Sequence, residues 1–260
     1  MAELFLYLWI AGIGLIIGSF LNVLIYRIPR HIGFGMSRSF CPSCKEKISF
    51  YDNIPLLSYL ILGGKCRHCR AKISFRYPLV EFLNGLGYLL FFWHFGPAIN
   101  LVVYSVLTSI LIAIFFIDIE FQIIPDMLTI SGMALGLIAS LLPGGTGIIS
   151  ASIGLAAGGG ALYLMALLGD WLFKKESMGG GDIKMSAMLG AFLGWQKIIF
   201  IFFASAAIGL LISMIVMLFS RRVRSTRVIP FGPFLAIAAI IAIIYGDTFI
   251  DFYLRHFFRL

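Results

Sequence analysis

The chain has 260 residues, of which 60% are hydrophobic and 12% charged, and its mean hydropathy is +1.00. This composition excludes an ordinary soluble globular protein and indicates a polytopic membrane protein. The net charge of +8 is compatible with nucleic-acid binding, but the basic residues lie in loops beside apolar segments. We therefore expect contacts with membrane lipid and none with nucleic acid.

The first predicted element is an uncharged apolar segment, residues 4–26, which is long enough to cross the membrane as a helix. A cleaved signal peptide is the alternative. Glu3 stands where such a peptide has basic residues, and Arg27 and Arg30 follow a run that is too long for one, so we predict a retained helix. Further spans are predicted at 79–93, 101–117, 127–142, 147–168, 185–195, 198–219 and 228–245. The segment 185–195 is short, so the sequence allows seven or eight spans.

A loop at 27–78 separates the first two spans and contains all four cysteines. They form two Cys-x-x-Cys pairs, Cys41 with Cys44 and Cys66 with Cys69, with 21 residues between the pairs. This spacing is close to that of four-thiolate zinc sites, whose complete protein ligand set makes them structural. Two disulfides or four free thiols are the alternatives, and disulfides would need an oxidising compartment. We expect no internal repeat of fixed period in the chain.

The same loop carries ten lysines and arginines and two acidic residues, and the positive-inside rule places it in the cytoplasm. With eight spans, residues 118–126, 174–184 and 221–227 also lie inside. With seven, the four arginines at 221–227 would face outward, so we predict eight spans and an external N-terminus. The fold predicted is an all-α polytopic integral membrane protein of about eight transmembrane helices. A small cytoplasmic four-cysteine zinc-binding subdomain follows the first helix.

Acidic residues at the ends of the predicted spans are candidates for function, because charges near the hydrocarbon are costly. Asp118 and Asp182 come to one face at similar depth under the eight-span topology, which is the arrangement of an aspartyl dyad. In such a dyad two carboxyls share one proton: one is the base for water and the other polarises the scissile carbonyl. The glycine run Gly179, Gly180 and Gly181 before Asp182 would let a substrate backbone approach. A flexible loop with Asp182 as helix cap, or a metal role for the acids, is the alternative.

Six short motifs occur in an order that resembles the type IV prepilin peptidase family, the leader peptidases and N-methyltransferases. They are Gly-Ser-Phe-Leu-Asn-Val at 18–23 with Tyr-Arg-Ile-Pro at 26–29, the paired Cys-x-x-Cys loop with Asn-Ile-Pro-Leu at 53–56, Arg-Tyr-Pro-Leu-Val-Glu at 76–81, Ile-Asp at 117–118 with Ile-Pro-Asp at 124–126, Met-Gly-Gly-Gly-Asp-Ile-Lys at 178–184, and Ile-Pro-Phe-Gly-Pro-Phe at 229–234. The resemblance covers nearly the whole chain.

The resemblance implies an enzyme of the bacterial inner membrane. It would cut the basic leader from type IV prepilins and pseudopilins, for pili or protein secretion, at the cytoplasmic face. Carried onto this chain, the catalytic pair is Asp118 and Asp182. Asp126 also belongs to the pattern, and we interpret it as a helix cap or a supporting hydrogen-bond acceptor. We interpret Glu120 as a solvated loop charge.

The four-cysteine loop resembles that of bifunctional members, which implies N-methylation of the new N-terminal residue, usually Phe, with S-adenosylmethionine. No Gly-rich fingerprint locates the methyl donor. Asn22, Arg27 and Glu81 are candidates to bind the donor or the pilin terminus, with helix-end and headgroup contacts as the alternative. The predicted domains are the first helix at 1–26, the zinc loop associated with methylation at 27–78, and a seven-helix peptidase core at 79–260.

Two other functional classes stay open from the residues alone. A membrane cation transporter would use Asp118, Asp126 and Asp182 as an ion path and the cysteines as a regulatory zinc sensor. A membrane-anchored zinc module that only binds partners would leave the glycine run without a role.

Overall fold

The structure is a computed structural model, and it describes residues 2–33, 39–174, 178–219, 229–253 and 255–256. The regular structure in these residues is helical, apart from isolated β-bridges that pair Phe40 with Lys47 and Lys65 with Lys72. The predicted all-α class is therefore confirmed. The whole of the predicted arginine cluster at 221–227 and part of the loop at 174–184 lie outside the described residues.

The chain divides into two compact units, Met1–Ala113 and Ile114–Leu260. In chain order the helices are α1 (Ala2–Arg27), α2 (Leu57–Ile61), α3 (Arg76–Phe95), α4 (Ile99–Phe121), α5 (Asp126–Ala139), α6 (Ile148–Phe173), α7 (Gly180–Phe219) and α8 (Gly232–Tyr253). Two short 3₁₀ helices, Ile28–Arg30 and Phe50–Asn53, lie between α1 and α2. The boundary between the units falls within α4.

Five of these helices, α1, α4, α6, α7 and α8, are long and apolar enough to cross a membrane. The prediction of a multi-pass membrane protein is thus supported by length and composition. The helix α5 is apolar but has only 14 residues, and α3 carries the polar residues Glu81, Asn84 and His94. Backbone angles at Gly194 (φ 78°) break α7, which divides it close to the predicted boundary between the sixth and seventh spans. The count of eight spans stays a prediction.

In the first unit, α1 and α3 approach so closely that glycine is required at their contact. A Cβ on Gly14 would lie 2.8 Å from the Cα of Gly85, and a Cβ on Gly18 would lie 2.7 Å from the Cα of Glu81. The side chain of Asn84 donates from Nδ2 to the carbonyl of Gly14 at 2.7 Å. Small residues and interhelical hydrogen bonds are the usual means by which membrane helices associate. These contacts fix the register of α3 along α1.

In the second unit, Gly154 and Gly158 of α6 pack against α7. A Cβ on Gly190 would lie 1.9 Å from the carbonyl oxygen of Gly154, and a Cβ on Gly158 would lie 2.5 Å from the carbonyl oxygen of Ser186. No side chain fits between the two backbones. Because this contact fixes the position of α7, it also fixes that of Asp182 in its first turn.

Candidate active site and metal centre

Asp118 lies in the last turn of α4 and is buried, with 5% of its surface exposed. Its carboxylate accepts a hydrogen bond from the backbone N–H of Gly232, the first residue of α8. A Cβ on Gly232 would lie 2.6 Å from Oδ2 of Asp118 and 3.0 Å from Cδ1 of Ile124. Glycine at this position therefore provides both a donor and the space that the carboxylate occupies.

Sequence reasoning quoted Gly232 within a motif but gave it no role. Its signal was a glycine between Phe231 and Pro233 at the start of a predicted span. Only the folded chain shows that the motif faces Asp118.

Asp182 lies in the first turn of α7 and is half-buried. It is close enough to Asp118 for the charge of one carboxyl to act on the other. Its Oδ1 atom is buried and has no hydrogen-bond partner among the described residues. The structure therefore brings together the two carboxyls that the sequence singled out, and it leaves one carboxyl oxygen available to a ligand.

The three glycines before Asp182 differ in their surroundings. A Cβ on Gly181 would lie 2.8 Å from Cβ of Ile124, so close packing against the segment after α4 requires glycine there. Gly179 and Gly180 are exposed, and a Cβ on Gly179 would lie 3.5 Å from Oδ2 of Asp182. These two positions form open backbone next to the carboxylate.

Asp126 is the first residue of α5, and the N-cap position belongs to Pro125, with no side-chain cap hydrogen bond. The interpretation of Asp126 as a helix cap is therefore wrong. Its carboxylate instead accepts two hydrogen bonds from Nζ of Lys184, at 2.7 and 2.8 Å. Lys184 follows Asp182 by two residues in α7, so the ion pair links the start of α5 to the start of α7. Asp126 is thus a hydrogen-bond acceptor for a residue of the same helical turn as Asp182.

The four cysteines form a compact cluster in the first unit. Their sulfur atoms all lie within 4.8 Å of one another, and those of Cys41 and Cys69 are 3.9 Å apart. All four are free thiols, which does not favour the disulfide alternative. Zinc–sulfur bonds of about 2.3 Å in a tetrahedron place sulfurs about 3.8 Å apart. The arrangement can therefore hold a metal ion, and soft thiolates suit zinc.

The two halves of this cluster are copies of one local structure. Cys41 donates its N–H to the carbonyl of Glu46 at 2.9 Å, and Cys66 donates in the same way to Ala71 at 2.9 Å. Lys45 and Arg70, which follow the second cysteine of each pair, both have left-handed backbone angles, with φ of 62° and 60°. Each half thus presents two sulfurs in the same local geometry.

The sequence itself contains this repeat, which sequence reasoning missed. Cys-x-x-Cys-x-x-Lys-Ile-Ser-Phe occurs at 41–50 and again at 66–75. The expectation of no internal repeat is therefore wrong for this loop. A comparison of the residues that follow each cysteine pair would have revealed the repeat.

The crowding of the thiols affects their protonation. Burial raises the pKa of Cys41, but hydrogen bonds from the backbone of Cys44 and Ser43 outweigh it, and the pKa falls to about 7. A backbone hydrogen bond from Glu46 lowers the pKa of Cys44, but partial burial and the other three thiols raise it to about 11. A coordinated cation stabilises such thiolates together. A cation bound between the four sulfurs would therefore offset the mutual repulsion of the thiolates.

The candidates for donor binding mostly make contacts within the protein. Oε2 of Glu81 accepts the N–H of Leu56 at 2.8 Å, and Arg27 is buried and donates to the carbonyl of Gly33 at 3.4 Å. Asn22 donates from Nδ2 to the carbonyl of Tyr77 at 3.0 Å. Its Oδ1 is buried without a hydrogen-bond partner in the described part of the chain. The structure therefore shows helix-end and loop contacts for all three and leaves one acceptor, on Asn22, for a ligand.

Comparison with known proteins places this arrangement in a family. Residues 13–95 match the bacterial peptidase A24 N-terminal domain, and residues 105–214 match the type IV leader peptidase family. A protein of Legionella pneumophila called prepilin leader peptidase/N-methyltransferase is 36% identical, over 97% of this chain and 96% of its own length. The chain belongs to the type IV leader peptidase family. It is therefore an enzyme, and both the resemblance and the enzyme class predicted from the sequence are confirmed.

Other family members of the same name are equally similar. The protein of Aeromonas hydrophila is 38% identical over 94% of this chain and 92% of its own. The protein of Pseudomonas aeruginosa is 38% identical over 94% of this chain and 91% of its own. No solved structure matches the chain.

Proposed function

We propose that the chain cleaves the leader peptide of type IV prepilins and pseudopilins and then N-methylates the new N-terminus, with Asp118 and Asp182 as an aspartyl dyad. The site would face the cytoplasm from the inner membrane. The observation that carries the proposal is the meeting of these two carboxyls at the ends of α4 and α7 in a family of leader peptidases. A cation path is less well supported, because Asp126 is exposed and paired with Lys184.

The surroundings of the two carboxyls suggest how they divide the chemistry. The N–H of Gly232 donates to Asp118, which favours the ionised carboxylate and makes it the base. Asp182, with a buried oxygen that lacks a partner, is the protonated acid. Asp118 takes a proton as water attacks the scissile carbonyl carbon, and Asp182 donates its proton to the carbonyl oxygen. When the carbon–nitrogen bond breaks, the proton on Asp118 passes to the leaving amine, and one hydroxyl of the tetrahedral intermediate returns a proton to Asp182 as the new carboxyl group forms.

The substrate has a basic leader and an apolar helix, so the cut falls where a membrane helix ends. Asp118 and Asp182 both lie at helix ends, in the last turn of α4 and the first turn of α7. The open backbone of Gly179 and Gly180 beside Asp182 gives an extended peptide room to approach the carboxyls. We propose that Gly181 and Asp126 support this site through packing and through the ion pair to Lys184.

The test is cleavage of a prepilin in membranes by Asp118→Asn and Asp182→Asn. Each amide removes a group that exchanges protons, so we expect cleavage to fall by at least about a hundredfold. Glu120→Gln is the matched control, since Glu120 is exposed on the same turn of α4 and should keep activity. If both Asn variants cleave at the wild-type rate, the peptidase proposal fails.

We propose that Cys41, Cys44, Cys66 and Cys69 bind one structural zinc ion, and that the loop supports methylation. S-adenosylmethionine would supply the methyl group. Among Asn22, Arg27 and Glu81, Asn22 has an acceptor, unpartnered within the described residues, that suits a polar group of the donor or the substrate amine. Its contacts place that acceptor at the junction of α1 and α3.

Replacing Cys41 and Cys44 together by serine should remove zinc and impair methylation, because two ligands cannot close the site. Zinc is measured by elemental analysis of the purified protein, and methylation by mass spectrometry of the processed pilin. The rate of prepilin cleavage by this variant should fall only to the extent that the variant protein is less stable. Full zinc content in the double variant would refute the assignment. Ser43→Ala, a change between the same two cysteines, is the control.

A further inference from the structure

The short helix α2 exposes an apolar stripe although it belongs to a loop and to no predicted span. Four side chains form it: Ile54 (46% exposed), Leu57 (52%), Leu60 (73%) and Ile61 (71%). The spacing of three and four residues places Leu57, Leu60 and Ile61 on one side of α2, and Ile54 lies in the extended backbone just before the helix. Ser58 on the other side is buried. Such a stripe facing water would be unfavourable, so its surroundings need an explanation.

Contacts to α3 place this segment deep along α1. Oε2 of Glu81 accepts the N–H of Leu56 at 2.8 Å, and Glu81 packs directly against Gly18. Gly18 precedes Arg27, the last residue of α1, by nine residues, which is about 14 Å along a helix. The start of α2 therefore reaches well inside the uncharged part of α1. At the same depth α1 itself exposes Phe20 to its surroundings.

Hydrogen bonds within the protein pair most of the backbone N–H groups of the segment, which suits a lipid environment. Ile54 donates its N–H to Oγ of Ser58 at 2.9 Å, and that hydroxyl donates to the carbonyl of Tyr51 at 2.9 Å. The N–H of Leu56 donates to Oε2 of Glu81, and the N–H of Leu60 donates to the carbonyl of Leu56 at 3.1 Å. An unsatisfied backbone group in hydrocarbon costs several kcal/mol, so non-helical backbone survives there only with such partners.

The charge around the segment suits one kind of surface. Residues 27–78 contain ten lysines and arginines and two acidic residues. Basic residues beside an apolar stripe are typical of segments that lie in the headgroup region of anionic membranes. The same charge would repel the basic leader of a prepilin, which makes lipid the better occupant.

We propose that residues 54–61 insert into the membrane leaflet at which α1 ends, apolar stripe first, and anchor the four-cysteine loop to anionic phospholipid. Glu81 acts as a positioning residue that holds Leu56 at this depth. The proposal concerns anchoring and does not depend on the peptidase mechanism.

The test is photo-crosslinking of the full-length protein in vesicles of phosphatidylethanolamine and phosphatidylglycerol. The variant Leu60→p-benzoylphenylalanine carries the probe on the stripe, and His68→p-benzoylphenylalanine carries it on an exposed position between Cys66 and Cys69. We expect phospholipid adducts at Leu60, identified by mass, several-fold above those at His68 and without any prepilin present. Zinc content equal to that of the wild type shows that the loop is folded. The probe at Leu57 repeats the measurement if the first variant lacks zinc.

Two outcomes overturn the proposal. One is equal lipid crosslinking at Leu60 and His68 in folded protein. The other is crosslinking of Leu60 to an added prepilin and not to lipid, which would make the stripe a peptide-docking surface. Glu81→Ala tests the positioning role, because loss of its bond to Leu56 should reduce the lipid adduct at Leu60 while the position-68 signal stays unchanged. An unchanged adduct at Leu60 would remove that role from Glu81.

Discussion

At the scale of single residues, the environment of Asp118 depends on one glycine that is far away in sequence. The N–H of Gly232 contacts the carboxylate, and the missing side chain leaves room for Oδ2. Hydrogen bonds of this kind control which oxygen faces the substrate and which form of the acid prevails. The role that we propose for Asp118 therefore depends on the first turn of α8.

Gly232→Ala should lower the rate of prepilin cleavage with little loss of fold. The new Cβ would lie 2.6 Å from Oδ2 of Asp118, so the carboxylate or the start of α8 must move. A shift of about 1 Å in a catalytic group can reduce the rate by about a hundredfold. Kinetics with the purified protein should show the fall in kcat. The control is Gly160→Ala, where the added Cβ has no described atom within 4 Å. Wild-type kcat in the Gly232 variant would contradict the role.

At the scale of helices, the position of Asp182 depends on contacts that carry no chemistry. The close approach of α6 and α7 at Gly154 and Gly190 sets where α7 begins relative to the rest of its unit. The kink at Gly194 lies within the same close contact, because a Cβ there would lie 2.6 Å from Oγ of Ser150. Helix packing through small residues thus positions the carboxyl of Asp182, although the contact at Gly190 lies about two helical turns further along α7.

Gly190→Ala should destabilise the fold strongly, because its Cβ would lie 1.9 Å from the carbonyl oxygen of Gly154 and neither backbone can yield easily. Overpacking of this kind costs about 1–3 kcal/mol, and rigid backbone on both sides places this case at the upper end. Thermal unfolding in detergent should show a clear fall in Tm. Gly160→Ala again serves as the control and should leave Tm nearly unchanged. A Tm equal to that of the wild type would mean that α6 and α7 are not held at this distance.

At the scale of the whole molecule, hydropathy located the long helices but not their ends, and it did not predict the short helix α2. α7 begins at Gly180, before the predicted start at 185, because the Gly-Gly-Asp turn belongs to the helix. The two candidate carboxyls were identified from their place at span ends, yet their proximity arises from tertiary packing that no local pattern encodes. The partnership of Asp126 with Lys184 has the same origin. The repeat at 41–50 and 66–75, in contrast, was present in the sequence and needed only comparison.

The span that most needs a test is α5, because the eight-span topology requires it to cross. Its 14 residues extend about 21 Å, whereas the hydrocarbon core is about 30 Å thick. If α5 crosses, Leu142 after it and Ile123 before it, both partly exposed, lie on opposite sides of the membrane.

In intact cells, an impermeant maleimide should then label Leu142→Cys, and it should label Ile123→Cys only after permeabilisation. The parent chain, whose four cysteines lie in the predicted cytoplasmic loop, controls for background. Labelling of both positions from the same side would make α5 a re-entrant or interfacial helix. Since each later span would then reverse its direction, the positive charges at 221–227 would face outward, against the positive-inside rule. The charge distribution of the chain therefore predicts that the short helix crosses, with local thinning or flanking turns making up the missing length.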